Sequence, residues 1–338
     1  MASYLTTSFT HTYAGQEFIN ELFYQPQSEG KNPFELYKVM SNVDSKSNIY
    51  LPGKLNKVLK KYTTCGFSST GSAVISDRVI EVEKVKVNLE ECEDAFDDTF
   101  IGELRKKGLG IEDLTGTIIE TILREQLMSA LRADIPRAMW MSKATSGSTD
   151  YDFFDGYFQL FFDSSASLAC ALDMSTSTTY EAANGTLATD GALAALRQLW
   201  TDQGAVMRGI PRAEKKFFVT STVYDNLLTT YENTGTDSGL NRLENGGESL
   251  SFRGVEVVEY THWDDSLADS AANPMTALIG DNAIVFTSPD NLIAASDVTD
   301  PNAEFKIRYS EDNETMRTTA KFKLGVQYVH NELVCFAF

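Results

Sequence analysis

Residues 111–132, IEDLTGTIIETILREQLMSALR, predict the clearest helix of the chain. Apolar side chains recur there at steps of three and four residues, as at Leu114, Ile118 and Ile122, which is typical of an amphipathic helix. At the usual rise per residue such a helix is about 33 Å long, which is long for a helix in a globular core. Because proline ends or kinks a helix, we expect it to stop just before Pro136.

The stretch before this helix, RVIEVEKVKVNLEECEDAF (78–96), alternates between apolar and charged residues. Ile80 and Val82 lie at even positions, whereas Val79, Val85 and Val87 lie at odd ones. Since side chains of a strand alternate between its faces, the apolar face changes midway. We therefore predict one long twisted strand with a bulge near Glu83.

Two further helices are predicted after the long one. The first lies in DGALAALRQLWTDQGA (190–205), with Asp190 as its N-cap. The second is STVYDNLLTTYEN (221–233), for which Ser221 or Thr222 would be the cap. Both predictions depend on apolar residues at helical spacing.

Short apolar runs between and after these helices predict strands. KKFFVT (215–220) is typical of a short buried strand. SFRGVEVVEY (251–260) predicts a loop, a bend at Gly254 and a strand. The C-terminal runs AEFKIRYS and TMRTTAKFKLGVQYVHNELVCFAF predict paired strands, so the chain as a whole is of the α+β class.

The N-terminal residues 1–45 read as an extended arm with scattered aromatic residues. An arm of this kind cannot bury its aromatic side chains on itself, so it lies across its own core or across another subunit. Residues 46–80 predict a long hairpin or loop. The loop carries a basic cluster that is either a solvated face or a contact with an acidic neighbouring surface: Lys54, Lys57, Lys60 and Lys61.

Composition limits the classes of function. The chain has 338 residues, 42% of them hydrophobic, and a formal net charge of −19, with a pI near 4.6. Proteins that grip nucleic acid by neutralising phosphates are usually basic, so extensive DNA or RNA binding is disfavoured. The four cysteines form no metal-binding spacing and indicate free thiols. No apolar run is long enough to predict a membrane span.

Catalytic motifs are missing from the sequence. The three histidines, His11, His262 and His330, lie far apart, and no G-x-S-x-G elbow marks a nucleophile. His262 with Asp264, Asp265 and Asp269 is the most metal-like group, which we interpret as an acidic surface loop. We therefore predict no catalytic residue, no cofactor and no metal ion.

In its order of elements, nearly the whole chain resembles the major capsid proteins of tailed bacteriophages, which have the Hong-Kong-97 fold. In that family an N-terminal arm precedes a long two-stranded loop, a strand and the spine helix of a peripheral domain, and an α+β axial domain follows. The segments that carry the resemblance are RVIEVEKVKVNLEECEDAF, IEDLTGTIIETILREQLMSALRADI, KKFFVTSTVYDNLLTTY, SFRGVEVVEY and TALIGDNAIVF. The family often has proline where Glu256 stands here.

The resemblance implies a Hong-Kong-97-type capsid fold with four parts. They are an N-terminal arm (1–45), an extended loop (46–80), a peripheral domain (81–145 and 301–338) with its spine helix at about 111–135, and an axial domain (146–300). Gly254 would allow a close approach of backbones in the axial sheet.

The resemblance also implies a function. The chain would assemble with itself into hexamers and pentamers of an icosahedral head that encloses double-stranded DNA, which it would touch only weakly and without sequence preference. Further expected partners are a separate scaffolding protein, a portal and decoration proteins, without a membrane. The expected location is the virion, after assembly in the host cytoplasm. Candidate contacts between subunits are Lys54, Lys57, Lys60, Lys61 and Tyr62.

Alternative interpretations stay open at this point. An encapsulin-type compartment shell has the same fold and would be recognised by its cargo. An unrelated soluble α+β enzyme would be a small oligomer with a defined pocket. A tail-tube protein is disfavoured, because the long helix is not expected there.

Overall fold

The structure is a computed structural model. It describes residues 11–14, 36–52, 61, 75–92, 118–148, 150–175, 179–180, 186–233, 250–269, 271–297, 304–310 and 315–338.

Helices and strands alternate along the chain after an N-terminal part made of strands. The helices are α1 (Ile118–Met141), α2 (Tyr157–Asp163), α3 (Gly191–Asp202), α4 (Ala205–Arg208), α5 (Ser221–Asn233), α6 (Thr261–Ala268) and α7 (Thr276–Ile279). The strands are β1 (His11–Ala14), β2 (Lys38–Met40), β3 (Lys46–Pro52), β4 (Ile75–Glu81), β5 (Glu83–Cys92), β6 (Cys170–Leu172), β7 (Lys216–Val219), β8 (Ser251–Phe252), β9 (Val255–Glu259), β10 (Ile284–Thr287), β11 (Leu292–Ala295), β12 (Glu304–Ser310), β13 (Thr315–Tyr328) and β14 (Val334–Ala337). The α+β class predicted from the sequence is confirmed.

The first sheet is built around the long strand β13. Its order is β1-β12-β13-β11-β2, and β5 also pairs with β13. All these pairs are antiparallel except β11 with β2. In β1, His11 pairs with Ile307 and Ala14 with Glu304, so this part of the arm lies on the chain's own sheet.

The second sheet has the order β6-β14-β10-β7-β9-β8 and mixes parallel with antiparallel pairs. Helices α3 and α5 pack on one face, where the side chains of Phe217 and Val219 lie. Helices α1, α2 and α6 pack on the other face, where Phe218 lies. Because both faces are covered, strands such as β7 are apolar at consecutive positions, which explains the buried run in KKFFVT.

The predicted single strand over 78–96 is wrong in one respect. It is divided at Val82 into β4 and β5, which belong to different sheets, and no bulge near Glu83 is needed. Ile80 and Val82 are buried in a small cluster beside β11, whereas Val85 and Val87 pack against the main core. The change of apolar face read from the sequence therefore marks the passage from one sheet to another.

Gly325 on β13 makes this division possible. A Cβ atom at this position would lie 2.0 Å from the carbonyl oxygen of Glu81 and 3.0 Å from the Cα of Val82. Since both neighbours are backbone atoms, they cannot rotate away. The junction of β4 and β5 therefore packs directly against the backbone of β13.

Replacing Gly325 by alanine is expected to lower the free energy of unfolding by about 1–3 kcal/mol, because the added methyl group overpacks the junction. Urea unfolding followed by tryptophan fluorescence measures the change. Gly204→Ala is the control, since a Cβ there would meet no atom closer than 3.9 Å. Equal stability of the two variants would contradict the prediction.

Helix α1 continues beyond its predicted end at Pro136 and reaches Met141. A proline inside a helix removes one backbone hydrogen bond and costs about 3 kcal/mol. The residues after it offset this cost, because Met139, Trp140 and Met141 are all at least 99% buried. Earlier in the helix, Leu127 and Leu131 are buried as their spacing predicted.

Both predicted local caps are replaced by side chains from elsewhere in the fold. Asp190 precedes α3 as expected, but its side chain makes no capping hydrogen bond. Instead Asn226 of α5 accepts from the N–H of Ala192 at 3.1 Å. Helix α5 begins at Ser221 itself, whose N–H donates to Asp264 of α6 at 3.1 Å.

The turn between β8 and β9 explains Gly254. Arg253 and Gly254 have φ angles of 52° and 80°, so both central residues are left-handed, as a two-residue hairpin turn requires. The nearest atom to an added Cβ is Cδ of Arg212 at 3.7 Å. Gly254 is therefore needed for its backbone angle, and the expected close approach of backbones is absent at this residue.

The predicted domain boundaries do not coincide with the division between the sheets. Strand β11 lies within 146–300 but pairs with β13 of the first sheet. The last strand, β14, lies within 301–338 but pairs with β10 and β6 in the second sheet. The chain crosses between the sheets more often than its linear order suggests.

Candidate assembly surface

A two-stranded sheet lies beside β13 of the first sheet. We call its strands β3 and β4 the loop stem; they pair antiparallel from Lys46 with Glu81 to Pro52 with Ile75. The stem contains both ends of the segment 46–80 that was predicted as the extended loop. The two ends of that segment therefore lie side by side, as in a hairpin.

Arg78 of the stem is bound to the body by three contacts. Its Nη1 donates to the carbonyl oxygen of Tyr328 at 2.7 Å, and its Nη2 donates to Oδ1 of Asn331 at 2.5 Å. The guanidinium group also lies 4.2 Å from the centre of the Tyr328 ring, a cation–π distance. Next to it, Nε2 of Gln327 donates to the carbonyl oxygen of Val79 at 3.2 Å.

A buried lysine holds the base of the stem. The side chain of Lys323 on β13 is 8% exposed, and its Nζ lies 3.1 Å from Oδ2 of Asp297, which is 5% exposed. The same Nζ lies 2.6 Å from Oδ1 of Asp44, a residue in the segment that leads into β3. One ammonium group therefore ties the arm side of the stem to β13 and to the segment after β11.

The outer part of the stem is open to solvent. Tyr50 is 70% exposed, although tyrosine usually buries its ring, and Val79 is 37% exposed. At the base, Lys46 and Glu81 form a surface ion pair at 2.5 Å. A rigidly held stem with an exposed aromatic side chain is suited to contact a second chain.

The edge of β5 is a second exposed surface. Among the described residues β5 pairs with β13 alone, so its other edge has no partner there. Hydrogen bonds from Thr315 and Arg317, at 2.9–3.0 Å, hold the pKa of Glu90 below its usual range. Beside it, Leu89 is 44% exposed. Open edges of this type pair readily with other chains.

Most of the contact residues predicted from the sequence lie outside the described residues. These are Lys54, Lys57, Lys60 and Tyr62. Lys61 is described and exposed. The structure therefore describes the stem strands, and the role of the loop lysines stays a prediction.

Two carboxylates of the metal-like group around His262 accept hydrogen bonds from hydroxyl groups. Asp264 accepts from Oγ of Ser221 at 2.6 Å, and burial raises the pKa of its carboxyl group, which these hydrogen bonds oppose. Asp269 accepts from the hydroxyl of Tyr151 at 3.4 Å. In the described part of the chain, no three His, Cys, Asp or Glu side chains are placed to hold a metal ion.

Two further predictions concern membrane spans and cysteine thiols. None of the helices in the described residues is long and apolar enough to cross a membrane. Cys170 and Cys335 are free thiols on neighbouring strands of the second sheet.

Arg78 and Lys323 were missed by the sequence analysis. Both lie in strands in which charged residues alternate with apolar ones. Their positions in this pattern do not distinguish them from solvent-exposed residues such as Lys321. Arg78 precedes the apolar run at Val79 and Ile80, which is a weak indication at most. Their partners lie far away in sequence.

Replacing Arg78 by alanine is expected to destabilise the junction of the stem with the body by about 1–3 kcal/mol, because a charged hydrogen-bond donor is lost from two acceptors. Hydrogen exchange measured by mass spectrometry should show faster exchange in β3 and β4. Lys46→Ala is the matched control, because its ion pair is exposed and contributes little. Equal exchange in both variants would contradict a special role of Arg78.

Solved structures with a similar fold are known. No family model and no curated protein sequence matches the chain. Among solved structures, the satellite phage P4 procapsid including its size determination (Sid) protein matches with a TM-score of 0.60 and 10% identity, over 95% of this chain and 89% of that one. The capsid of Ralstonia phage GP4 matches with a TM-score of 0.56 and 9% identity, over 96% and 90%.

A third match is the capsid of a native GTA particle, with a TM-score of 0.54 and 14% identity, over 89% of this chain and 87% of that one. Identities this low show the fold alone. The chain therefore has the fold of these capsid structures, as its order of elements implied.

Proposed function

We propose that this chain is the major capsid protein of a tailed bacteriophage, many copies of which form the hexamers and pentamers of an icosahedral head around double-stranded DNA. One observation carries the proposal. The likeness to capsid structures extends over nearly the full length of both chains compared, rather than over a single shared motif.

The fold supports a mechanical role for each part. Obligate interfaces commonly bury about 2,000–5,000 Å² or more, which a compact body alone provides with difficulty. A loop between the stem strands would add contact area on a neighbouring copy, and the contacts of Arg78 and Lys323 hold the base of the stem against the body. The edge of β5 offers a further surface for a neighbour.

We also propose that the loop lysines, with Tyr62 beside them, contact the acidic surface of an adjacent subunit. The proposal is supported by charge, since a chain of net charge −19 presents an acidic surface to most approaching groups. Lys61 is exposed. The lysines of this contact are Lys54, Lys57, Lys60 and Lys61.

Reversing all four lysines to glutamate is expected to raise the protein concentration needed for assembly by about tenfold or more, because each surface pair contributes up to about 1 kcal/mol. Light scattering during assembly measures this threshold. Lys143→Glu and Arg197→Glu, which lie outside the loop, serve as the control. An unchanged threshold in the fourfold variant would rule out the proposed contact.

Further partners and the location of the protein belong to the same proposal. A separate scaffolding protein would guide assembly, a portal would occupy one vertex, and decoration proteins would bind the outside of the shell. The acidic balance suits a shell that confines DNA with weak contacts, since like charges repel. Assembly would take place in the host cytoplasm, and the protein would end in the virion.

Expression of the chain alone, followed by negative-stain electron microscopy and size-exclusion chromatography, tests the proposed function. Shells, tubes or capsomer rings are the expected result. If the chain stays small, co-expression with the scaffolding protein of the same phage is the second arm. A chain that remains monomeric in both arms would contradict the proposal, and shells filled with a cargo protein would indicate a compartment instead.

A further inference from the structure

Basic side chains gather around a tryptophan and its adjoining cleft at one end of the second sheet. The ring centre of Trp200 lies 5.5 Å from Cζ of Arg212, 5.9 Å from Nζ of Lys215 and 5.7 Å from Cζ of Arg253. Trp200, Arg212 and Lys215 also line a cleft of about 460 Å³, together with Arg208. We call Arg208, Arg212, Lys215 and Arg253 the cationic end.

The cationic end has no ion-pair partner among the described residues. None of its four side chains forms an ion pair there, and none of the described residues that line the cleft is acidic. Lys215 is 98% buried, and burial together with the neighbouring Arg212 lowers the pKa of its ammonium group. Oε1 of the buried Gln203, also in the lining, has no hydrogen-bond partner among the described residues.

The cleft is built by the fold rather than by loose surface side chains. Nη1 of Arg212 donates to the carbonyl oxygen of Arg253 at 2.9 Å, which joins two separate segments. Arg208 is held in the same way, since its Nη2 donates to the carbonyl oxygen of Thr201 at 2.6 Å. Like charges held together in this manner repel one another, and an anionic ligand would relieve that repulsion.

The opposite end of the same sheet is acidic. Carboxylate oxygens of Glu259 and Asp264 lie 2.5 and 2.6 Å from Oγ of Ser221, whose single hydroxyl hydrogen can bind either of them. Asp265 is exposed on α6, and Asp281 is exposed next to α5, where its carbonyl oxygen accepts from Thr222 at 2.6 Å. We call Glu259, Asp264, Asp265 and Asp281 the acidic end.

Strand direction separates the two ends. Strands β7 and β9 are parallel, so both begin at one edge of the sheet and end at the other. Lys215 directly precedes β7 and Arg253 lies in the turn before β9, whereas Ser221 follows β7 and Glu259 closes β9. At about 3.3 Å per residue the ends lie about 15 Å apart. The sequence strengthens this polarity, since no lysine or arginine occurs between Gly254 and Phe305.

We propose that the acidic end of one copy docks into the cationic end of the next copy, so that the second sheets join head to tail in a ring. The inference rests on the proposed function, because a ring of copies is what a capsomer requires. When two different surfaces of the same chain bind each other, each copy is rotated relative to the one before. The copies form a closed ring if these rotations add up to a full turn. With a volume of about 460 Å³, the cleft is large enough to receive carboxylate side chains of a neighbouring copy, and not only a single ion.

Charge reversal at each end tests the docking. One variant carries Arg212→Glu and Arg253→Glu, and a second carries Asp265→Lys and Asp281→Lys. All four residues are exposed, so their replacement leaves the core intact. We expect each variant to associate about tenfold more weakly than the wild type, as measured by sedimentation velocity over a range of protein concentrations.

The variant with all four substitutions is the decisive arm, because it restores opposite charges across the contact. We expect it to regain association to within a few fold of the wild type. The control is Arg197→Glu with Lys143→Glu, which changes the net charge as much as the first variant but lies outside the cleft. Association of the wild type should also weaken as salt rises and screens the charges.

The outcomes separate this inference from the proposed function. Wild-type shells with unchanged association of both reversal variants would overturn the docking and leave the capsid function standing. Rings that depend on the charges, without shells, would support the docking and count against the capsid function. A wild type that stays monomeric at every concentration and at low salt would overturn the docking.

Misfolding of the variants is checked by their thermal unfolding. If reversal at either end lowers the melting temperature, the single neutral changes Arg253→Gln and Asp265→Asn replace it. Each removes one charge without introducing its opposite, and we expect association about threefold weaker. No change in either neutral variant would overturn the docking.

Discussion

Replacing Trp140 by alanine should lower the free energy of unfolding by about 3–5 kcal/mol, which is a large part of the stability of an ordinary domain. Trp140 is 1% exposed, near the end of α1. Its ring centre lies 4.8 Å from those of Tyr157 and Trp263 and 5.3 Å from that of Phe158. Rings on α1, α2 and α6 therefore lose a shared neighbour when it is removed.

The loss should spread beyond α1, because Trp140 also contacts the second sheet. Its ring centre lies 6.2 Å from that of Phe218 on β7 and 5.9 Å from that of Tyr260. Urea unfolding followed by circular dichroism measures the effect. Leu278→Ala, at a residue that is 42% exposed, is the control and should change stability by less than about 0.5 kcal/mol. A loss below about 2 kcal/mol for Trp140→Ala would contradict its central place in the core.

Lys323→Met is expected to destabilise the protein by about 3–5 kcal/mol, because it removes the ammonium group next to the buried carboxylate of Asp297. Breaking a buried pair costs more than the pair itself contributes, since the remaining charge stays in a poorly solvated place. Urea unfolding gives the magnitude, and hydrogen exchange should show the base of the loop stem opening first.

Two further variants make this second prediction specific. Asp44→Ala removes the other partner of Lys323. Because the side chain of Asp44 is 90% exposed, this change should lower the free energy of unfolding by less than about 1 kcal/mol. The double change Lys323→Met with Asp297→Leu removes both buried charges and should recover most of the loss. If the double variant is no more stable than Lys323→Met alone, the cost does not come from an unpaired carboxylate.

These two predictions concern the parts of the fold that a shell would need most. Trp140 joins the long helix to both layers around it, and Lys323 joins the loop stem to the first sheet. Under the proposed capsid function, their loss should reduce assembly as well as stability.

The sequence predicted elements well where one periodic pattern extends over many residues. The helical spacing around Leu127 and the apolar run of β7 were both recognised, and both are buried in the structure. The change of apolar face between Val82 and Val85 was also read correctly. Burial imposes these patterns locally, so each can be seen in a single stretch of chain.

Ends and junctions of elements were predicted less well. Proline rules placed the end of α1 before Pro136, although the buried residues that follow it outweigh the missing hydrogen bond. Local rules made Asp190 and Ser221 the caps of α3 and α5, whereas Asn226 and Asp264 supply the capping oxygens. A side chain from another element can satisfy a free N–H equally well, and local sequence does not reveal it.

By itself, the amino-acid sequence determined the order of the elements, the faces that they bury and the acidic character of the chain, because each of these is written in neighbouring residues. The tertiary structure alone decided where the chain crosses between the sheets, which lysine is buried against which carboxylate, and that three basic residues meet around Trp200. These features depend on contacts between residues far apart in sequence, and such contacts leave no periodic pattern in either partner.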